Sequence, residues 1–306
     1  IQWFADTRAA EEDLLHHFFK FLEQYKTLVH FNGDGFDIPF LLKRCKHFNL
    51  PYSFDNVASF DIYKKVKPYR NLLGLDSLKQ KSIEQFLEIS RTDKYNGGQL
   101  IEVYKDYLMT HEEGLYDLLI LHNEDDLKGM PSILPILNYP DLLEHAFTLK
   151  EQQIVDESLA DGQIRHLLKL TCQSPYSIPV PVQAAMPPAR CRIEQDQVTF
   201  FVELTEGTLK HFYLDYKDYY YLPFEDRAVH KSIGACVDKE ARIKATASNC
   251  YTKTTGFFLP QFEAIWEPVM KQEYKDKMLY AALGDVYLAD EAALQKYIKA
   301  ILSYLK

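Results

Sequence analysis

The chain has 306 residues, 47% of them hydrophobic, enough to pack a core in each of two domains of ordinary size. Its formal net charge of −9 argues against a general nucleic-acid coat protein, whose affinity would come from lysines and arginines neutralising phosphates. No stretch is long and apolar enough for a membrane helix, residues 1–6 lack the pattern of a secretory signal, and the five cysteines are scattered without C-x-x-C spacing. A soluble, cytoplasmic protein with reduced thiols, no zinc and no membrane contact is expected.

Residues 1–5 read as a short apolar strand. Because residue 1 already reads as the inside of that strand, the numbered sequence is expected to begin partway through a longer parent. Asp6 and Thr7 are placed to cap a helix with an acidic first turn (Glu11, Glu12, Asp13) and with Leu14, Phe18, Phe21, Leu22 and Tyr25 at helical spacing. Residues 27–31 form a β-branched and aromatic run that ends in Asn32-Gly33-Asp34-Gly35, a turn, before a helix starts near Phe36. A strand over 57–60 and helices around 78–87, 100–109 and 116–127 follow, and a break near Tyr139-Pro140 closes this half. Strand, helix, strand, loop, helix is an α/β layer order.

From about residue 146 the period becomes alternating. Ile164, His166, Leu168 and Leu170 fall on one face of a strand; residues 198–204 and 208–214 predict a hairpin around Thr205-Glu206-Gly207; residues 218–222 predict an aromatic strand. Pro175, Pro179, Pro181, Pro187 and Pro188 confine their stretch to edge strands or loops. A helix over 291–305 carries Leu294, Ile298, Ile301 and Leu305 as its stripe. Two domains are expected, 1–145 and an α+β domain over 146–306.

The strongest chemical signal is His30-Phe31-Asn32-Gly33-Asp34-Gly35-Phe36-Asp37-Ile38-Pro39-Phe40-Leu41, in which a strand delivers a polar loop and then an aspartate in the first turn of a helix. Hard cations such as magnesium need oxygen ligands on rigid elements, and this junction supplies one. Asp37 alone also reads as a helix-start aspartate favoured by the dipole. Further on, Leu121-His122-Asn123-Glu124-Asp125-Asp126-Leu127 lies in a helical pattern, where residues four apart share a face, so His122 and Asp126 project together. Singly, these residues also read as a solvated acidic face with a partly exposed histidine.

The spacing N-x-x-x-F-D-x-P-F-L resembles the second motif of the DEDD 3′ to 5′ exonucleases, and the segment around His122 and Asp126 resembles their third. Residues 59–63 and 71–79 also look like the predicted bacterial exonucleases of the YprB-like branch. The resemblance covers about residues 1–135. It implies an α/β fold, an N-terminally incomplete ribonuclease H-like mixed sheet with flanking helices, followed by the α+β domain. It further implies that Asp37 and Asp126 are metal carboxylates for Mg2+ or Mn2+, that Asn32 and Phe36 shape a groove for a single-stranded nucleic-acid end, and that His122 stands where a general base would. A tyrosine holds this spacing in one subclass and a histidine stands one residue further away in another, so the subclass stays open. In such sites two metals activate a water and stabilise charge on the attacking and leaving oxygens.

The superfamily also needs a D-x-E pair on its first strand, and nothing before Asp37 supplies it. The single D-x-E, Asp238-Lys239-Glu240, reads as a surface turn in the other domain. The 306 residues as they stand are therefore expected not to be a competent nuclease, with an exposed sheet edge or apolar groove where a strand is missing. A noncatalytic nucleic-acid-binding module is the alternative. An interaction protein in which both aspartates are incidental is a third reading. In the second domain, six basic residues from Arg227 to Lys253 could guide a phosphate backbone or form an ordinary mixed surface. The aromatics around Tyr219, Tyr220 and Tyr221 could stack bases or simply pack across strands.

Overall fold

In the computed structural model, which describes residues 1–90 and 97–306, the chain divides into two units. One comprises Ile1–Glu144 with Tyr176–Val180, the other His145–Pro175 with Pro181–Lys306.

In the first unit residues 1–5 are irregular, not the expected strand. Their apolar side chains are spent on ring packing. Trp3 meets Phe18 and Phe21 edge-on, Phe4 lies among Tyr104, Tyr107 and Tyr116 with centroids 5.0 to 5.8 Å away, and the Tyr104 hydroxyl donates to the Ala5 carbonyl at 2.7 Å. Helix α1 (Glu11–Leu22) starts from Ala10 rather than from Asp6 or Thr7; the Thr7 hydroxyl instead accepts the Ala10 N–H and braces the preceding turn. Its buried stripe is Leu15, Phe19 and Leu22, and Tyr25 lies exposed beyond its end.

Strand β1 (Thr27–His30) leads through a turn into α2 (Asp37–His47) and then β2 (Ala58–Asp61). The two strands pair in parallel, from Thr27 opposite Ala58 to His30 opposite Asp61. A parallel pair needs a crossover, and α2 supplies it, packing Cys45 against the α1 stripe while Arg44 and Glu11 form a two-pronged ion pair. Both strands end side by side at His30 and Asp61. In open parallel sheets the loops leaving such ends are where ligands bind.

The further helices described in this unit are α3 (Ile62–Val66), α4 (Gln80–Phe86), α5 (Gly97–Thr110), α6 (Glu113–Ile133) and α7 (Asn138–Glu144). Ile62, Val66, Ile83, Ile133, Ile136 and Leu142 form a fully buried set among them. The expected break at Tyr139-Pro140 is instead the first turn of α7. Proline is tolerated there because that turn's N–H groups have no intrahelical acceptor. Tyr139 is buried, and its hydroxyl donates to the Val180 carbonyl at 2.8 Å.

The second unit opens with β3 (Thr148–Ser158), β4 (Ile164–Gln173), β5 (Val182–Met186), β6 (Ala189–Glu194) and β7 (Gln197–Glu203), an antiparallel five-stranded sheet in the order β3-β4-β7-β6-β5. The proline-flanked β5 is its edge strand, as its composition requires. On β4, Leu167 and Cys172 are buried as well as Leu168 and Leu170, so burial is not confined to one alternating face. Strand β8 (Thr205–Phe212) follows, then β9 (Tyr219–Leu222), β10 (Arg227–His230), the single turn α8 (Lys231–Gly234), β11 (Ile243–Lys244), β12 (Tyr251–Gln261), β13 (Leu279–Ala282) and α9 (Glu291–Leu305). The predicted hairpin of residues 198–204 with 208–214 does not form. β7 pairs with β4 and β6, whereas β8 leaves that sheet and pairs with β12 from Thr205–Phe258 to Phe212–Tyr251. Helix α9 buries Leu294, Ile298, Ile301 and Leu305, and the Asp290 carboxylate caps its start.

Candidate active site

The turn after β1 is built by close contacts of its own residues. Asn32 has φ 58°, a left-handed conformation that asparagine tolerates, and its carbonyl accepts the N–H groups of Gly35 and Phe36, both at 3.1 Å. Gly33 donates its N–H to His30 Nδ1 at 3.0 Å, and a Cβ there would lie 2.7 Å from that nitrogen, so only glycine lets the ring approach. A ring that accepts at Nδ1 carries its hydrogen on Nε2, which lies 2.8 Å from the Ser59 hydroxyl. Ser59 in turn donates to Asp34, and Lys64 donates to the other Asp34 oxygen at 2.6 Å. These bonds from Lys64 and then Ser59 hold the Asp34 carboxyl below its usual range.

Asp61 completes the brace. It is 5% exposed, and its Oδ1 accepts the N–H of Asn32 at 2.9 Å and of Tyr63 at 3.0 Å, capping α3 and tying the β1 turn to the end of β2. Its Oδ2 is buried without a hydrogen-bond partner among the described residues, 3.8 Å from His30 Nδ1.

His30, Asp34 and Asp61 offer ligand atoms within 4.8 Å of one another, the geometry of a possible cation site. Their bonding argues for a different job. The Lys64 ammonium already supplies the positive charge at Asp34, and both His30 nitrogens are engaged. The trio works as a brace for the loop that carries Asn32, Phe36 and Asp37.

Asp37 is the first residue of α2, where the dipole favours a carboxylate. It is exposed, yet the surrounding protein removes enough water to raise its carboxyl above the ordinary value; His30 and its own N–H oppose that shift, and Asp61 adds to it. Asp37, Asn32 and Phe36 all line one groove of about 560 Å3, so the structure brings these three predicted residues together. Phe31, Tyr63, Arg70, Ser77, Lys79 and Gln80 also line this groove. Phe36 is 67% exposed, an aromatic face without a core to fill.

His122 and Asp126 lie on α6, with Nε2 3.3 Å from Oδ2, so they do share a helix face. The link from this pair to the groove is Gln80, whose Nε2 donates to the Asp126 main-chain carbonyl at 3.3 Å and to Glu84 Oε1 at 2.9 Å. The neighbouring acids take other directions: Glu124 pairs with Lys128, and Asp125 lines a separate recess with Glu84 and Gly129.

A family model of the RNase_H superfamily matches residues 1–138. The match spans the whole brace, the groove and both candidate carboxylates. The fold is mixed α/β, a helix-rich α/β region followed by an α+β region, and is consistent with that match. No curated protein and no solved structure matches it. Among the described residues no helix is long and apolar enough to cross a membrane.

Part of the second unit's candidate surface is committed to the fold, while Arg227, Lys231, Lys239 and Lys244 are exposed. Tyr213 and Tyr219 stack with centroids 4.7 Å apart, Arg242 lies over Tyr220 and donates to the Gly234 carbonyl, and Lys253 is bound to Asp226. Asp238, Lys239 and Glu240 are exposed around a short 3-10 turn. Sequence reasoning assigned no individual role to Asp61, Arg70, Lys79 or Gln80, although Asp61 and Lys79 lie in the stretches that carry the resemblance. Asp61 carried one local signal, an aspartate at a strand end two residues before the N–H it caps; the others depend on which loops the fold brings to one groove.

Proposed function

We propose that the RNase H-like region is a divalent-metal-dependent 3′ to 5′ exonuclease scaffold that takes single-stranded nucleic-acid ends. The observation that carries this reading is the shared groove of Asp37, Asn32 and Phe36 at the end of β1. Asp37, and Asp126 beyond Gln80, are the carboxylates that would hold Mg2+ or Mn2+, hard ions that prefer oxygen ligands. Bound there, the ions would lower the pKa of an attacking water and stabilise charge on the phosphate oxygens. His122 would orient or take the proton of that water, held for this by its contact with Asp126. Phe36 offers an exposed ring for a terminal base and Asn32 a polar edge.

No D-x-E pair precedes Asp37 in these residues, so the ions would be held weakly and hydrolysis by this chain alone is expected to be slow or undetectable. A second reading is a noncatalytic module that keeps the groove for nucleic-acid ends, which the exposed Phe36 ring would serve without metal. Both are tested by titrating the full chain with Mn2+ and with fluorescent single-stranded DNA and RNA, and by following degradation of the same strands. The exonuclease scaffold predicts Mn2+ binding that Asp37→Asn and Asp126→Asn each weaken. Strand binding indifferent to Mn2+ and to both substitutions would leave the noncatalytic module. Robust degradation would overturn the expected low activity.

A further inference from the structure

The wall of the groove that also carries Arg70 and Lys79 has the chemistry of an anion site. Arg70 is exposed, and its guanidinium is clipped to its own loop, Nε donating to the Leu75 carbonyl at 3.1 Å and Nη2 to that of Asp76. Carbonyls fix a guanidinium without cancelling its charge, so a cation is presented on a stiff loop. The loop is stiff for local reasons. Leu75 N–H returns to the Arg70 carbonyl at 3.0 Å, Gly74 takes φ 65°, and Leu72, Leu73 and Leu75 are buried. Lys79 is exposed and opens α4 from the same wall.

We infer that Arg70 and Lys79 are the phosphate-contacting residues of this groove, which takes one nucleoside monophosphate unit with its base against Phe36. This deepens the exonuclease reading and rests on it. Two cations, two further rings (Phe31, Tyr63) and one carboxylate line a single groove, a set that matches a phosphate joined to a flat apolar base. About 560 Å3 lies within the usual size of small-molecule sites and leaves room for one such unit. The Asp37 carboxylate sets the polarity: it repels a phosphate unless a divalent ion stands between them. In metal-free solution the phosphate is therefore held by Arg70 and Lys79.

The experiment titrates the full chain in EDTA with adenosine 5′-monophosphate, adenosine and inorganic phosphate, by calorimetry. The monophosphate is expected to bind tighter than either adenosine or phosphate. Lys79→Met and Arg70→Met should each weaken it about tenfold, the scale of one lost hydrogen bond to a charged group, and leave adenosine binding within about twofold. Arg70→Met also removes two bonds that close its loop, so Lys79→Met, whose ammonium closes no turn, carries the test if the first variant unfolds. Monophosphate binding that is absent, equal to that of phosphate, or unchanged in Lys79→Met overturns the assignment. Mn2+ binding by the same preparations, wild type against Asp37→Asn, reports separately on the exonuclease reading, so either can fail alone.

Discussion

The buried Asp61 carboxylate accepts the main-chain N–H of Asn32 at 2.9 Å, joining the end of β2 to the turn that follows β1. The same oxygen caps α3 through Tyr63, so one atom satisfies two backbone donors. Asp61→Ala leaves both unpaired and should cost on the order of 1–3 kcal/mol, read by urea unfolding. Asp61→Asn keeps the acceptor and removes the charge from an oxygen without a partner among the described residues; its stability should stay within about 1 kcal/mol of wild type. Equal damage from both substitutions would show that the charge of Oδ2 is itself used, as a bound cation would use it.

This brace also marks how far the sequence could be read. The β-branched run, the glycine turn and the aspartate opening α2 are local signals, so β1, α2 and the placement of Asp37 were legible. Whether residues 1–5 find a strand partner is not a local property, and there the rings of Trp3 and Phe4 decided the outcome. Thr205-Glu206-Gly207 has the composition of a hairpin turn, but pairing with β12, far along the chain, carries β8 into another sheet. Arg70 and Lys79 lie in loops whose common groove exists only once β1 and β2 are side by side.

Asp226 makes stability depend on pH in the second unit. Lys253, Tyr221 and Tyr251 all donate to its carboxylate and hold it far below the ordinary range. A carboxylate depressed in the folded state stabilises the fold above the unfolded value of about 3.9, and that contribution is lost as pH falls through the folded value. The melting-temperature gap between wild type and Asp226→Asn should therefore be constant above about pH 5 and shrink steadily below about pH 4. Asparagine suits the positive φ of 48° at this position, so the swap adds no backbone strain. A gap that widens in acid would contradict the assignment.

Gly129 sits inside α6, where alanine would ordinarily add stability of about 1 kcal/mol. Here a Cβ would stand 2.6 Å from Glu84 Oε1 and 2.8 Å from Gln80 Nε2, and Glu84 is only 3% exposed, with little room to retreat. Gly129→Ala is expected to reverse the usual sign and destabilise by about 1–2 kcal/mol. It should also loosen the Gln80 contact with Asp126, and so weaken Mn2+ binding, if that contact holds α6 against the groove. A more stable variant with unchanged Mn2+ affinity would show that the two side chains simply step aside.

Tyr219 discriminates packing from base stacking in the second unit. Its ring stacks on Tyr213 at 17° between planes, meets His230 edge-on, and covers the small buried cluster of Ala228, Ala245 and Cys250. Burial beneath its neighbours also raises its hydroxyl above the usual phenol value. A ring used on both sides has little surface left for a base, so Tyr219→Ala should lower stability by about 1–3 kcal/mol and leave oligonucleotide affinity unchanged at a temperature where the variant is folded. Phe36→Ala should do the reverse, since that ring is 67% exposed: near-wild-type stability with weaker binding of single-stranded ends. Loss of oligonucleotide binding in folded Tyr219→Ala would move the nucleic-acid surface to the second unit.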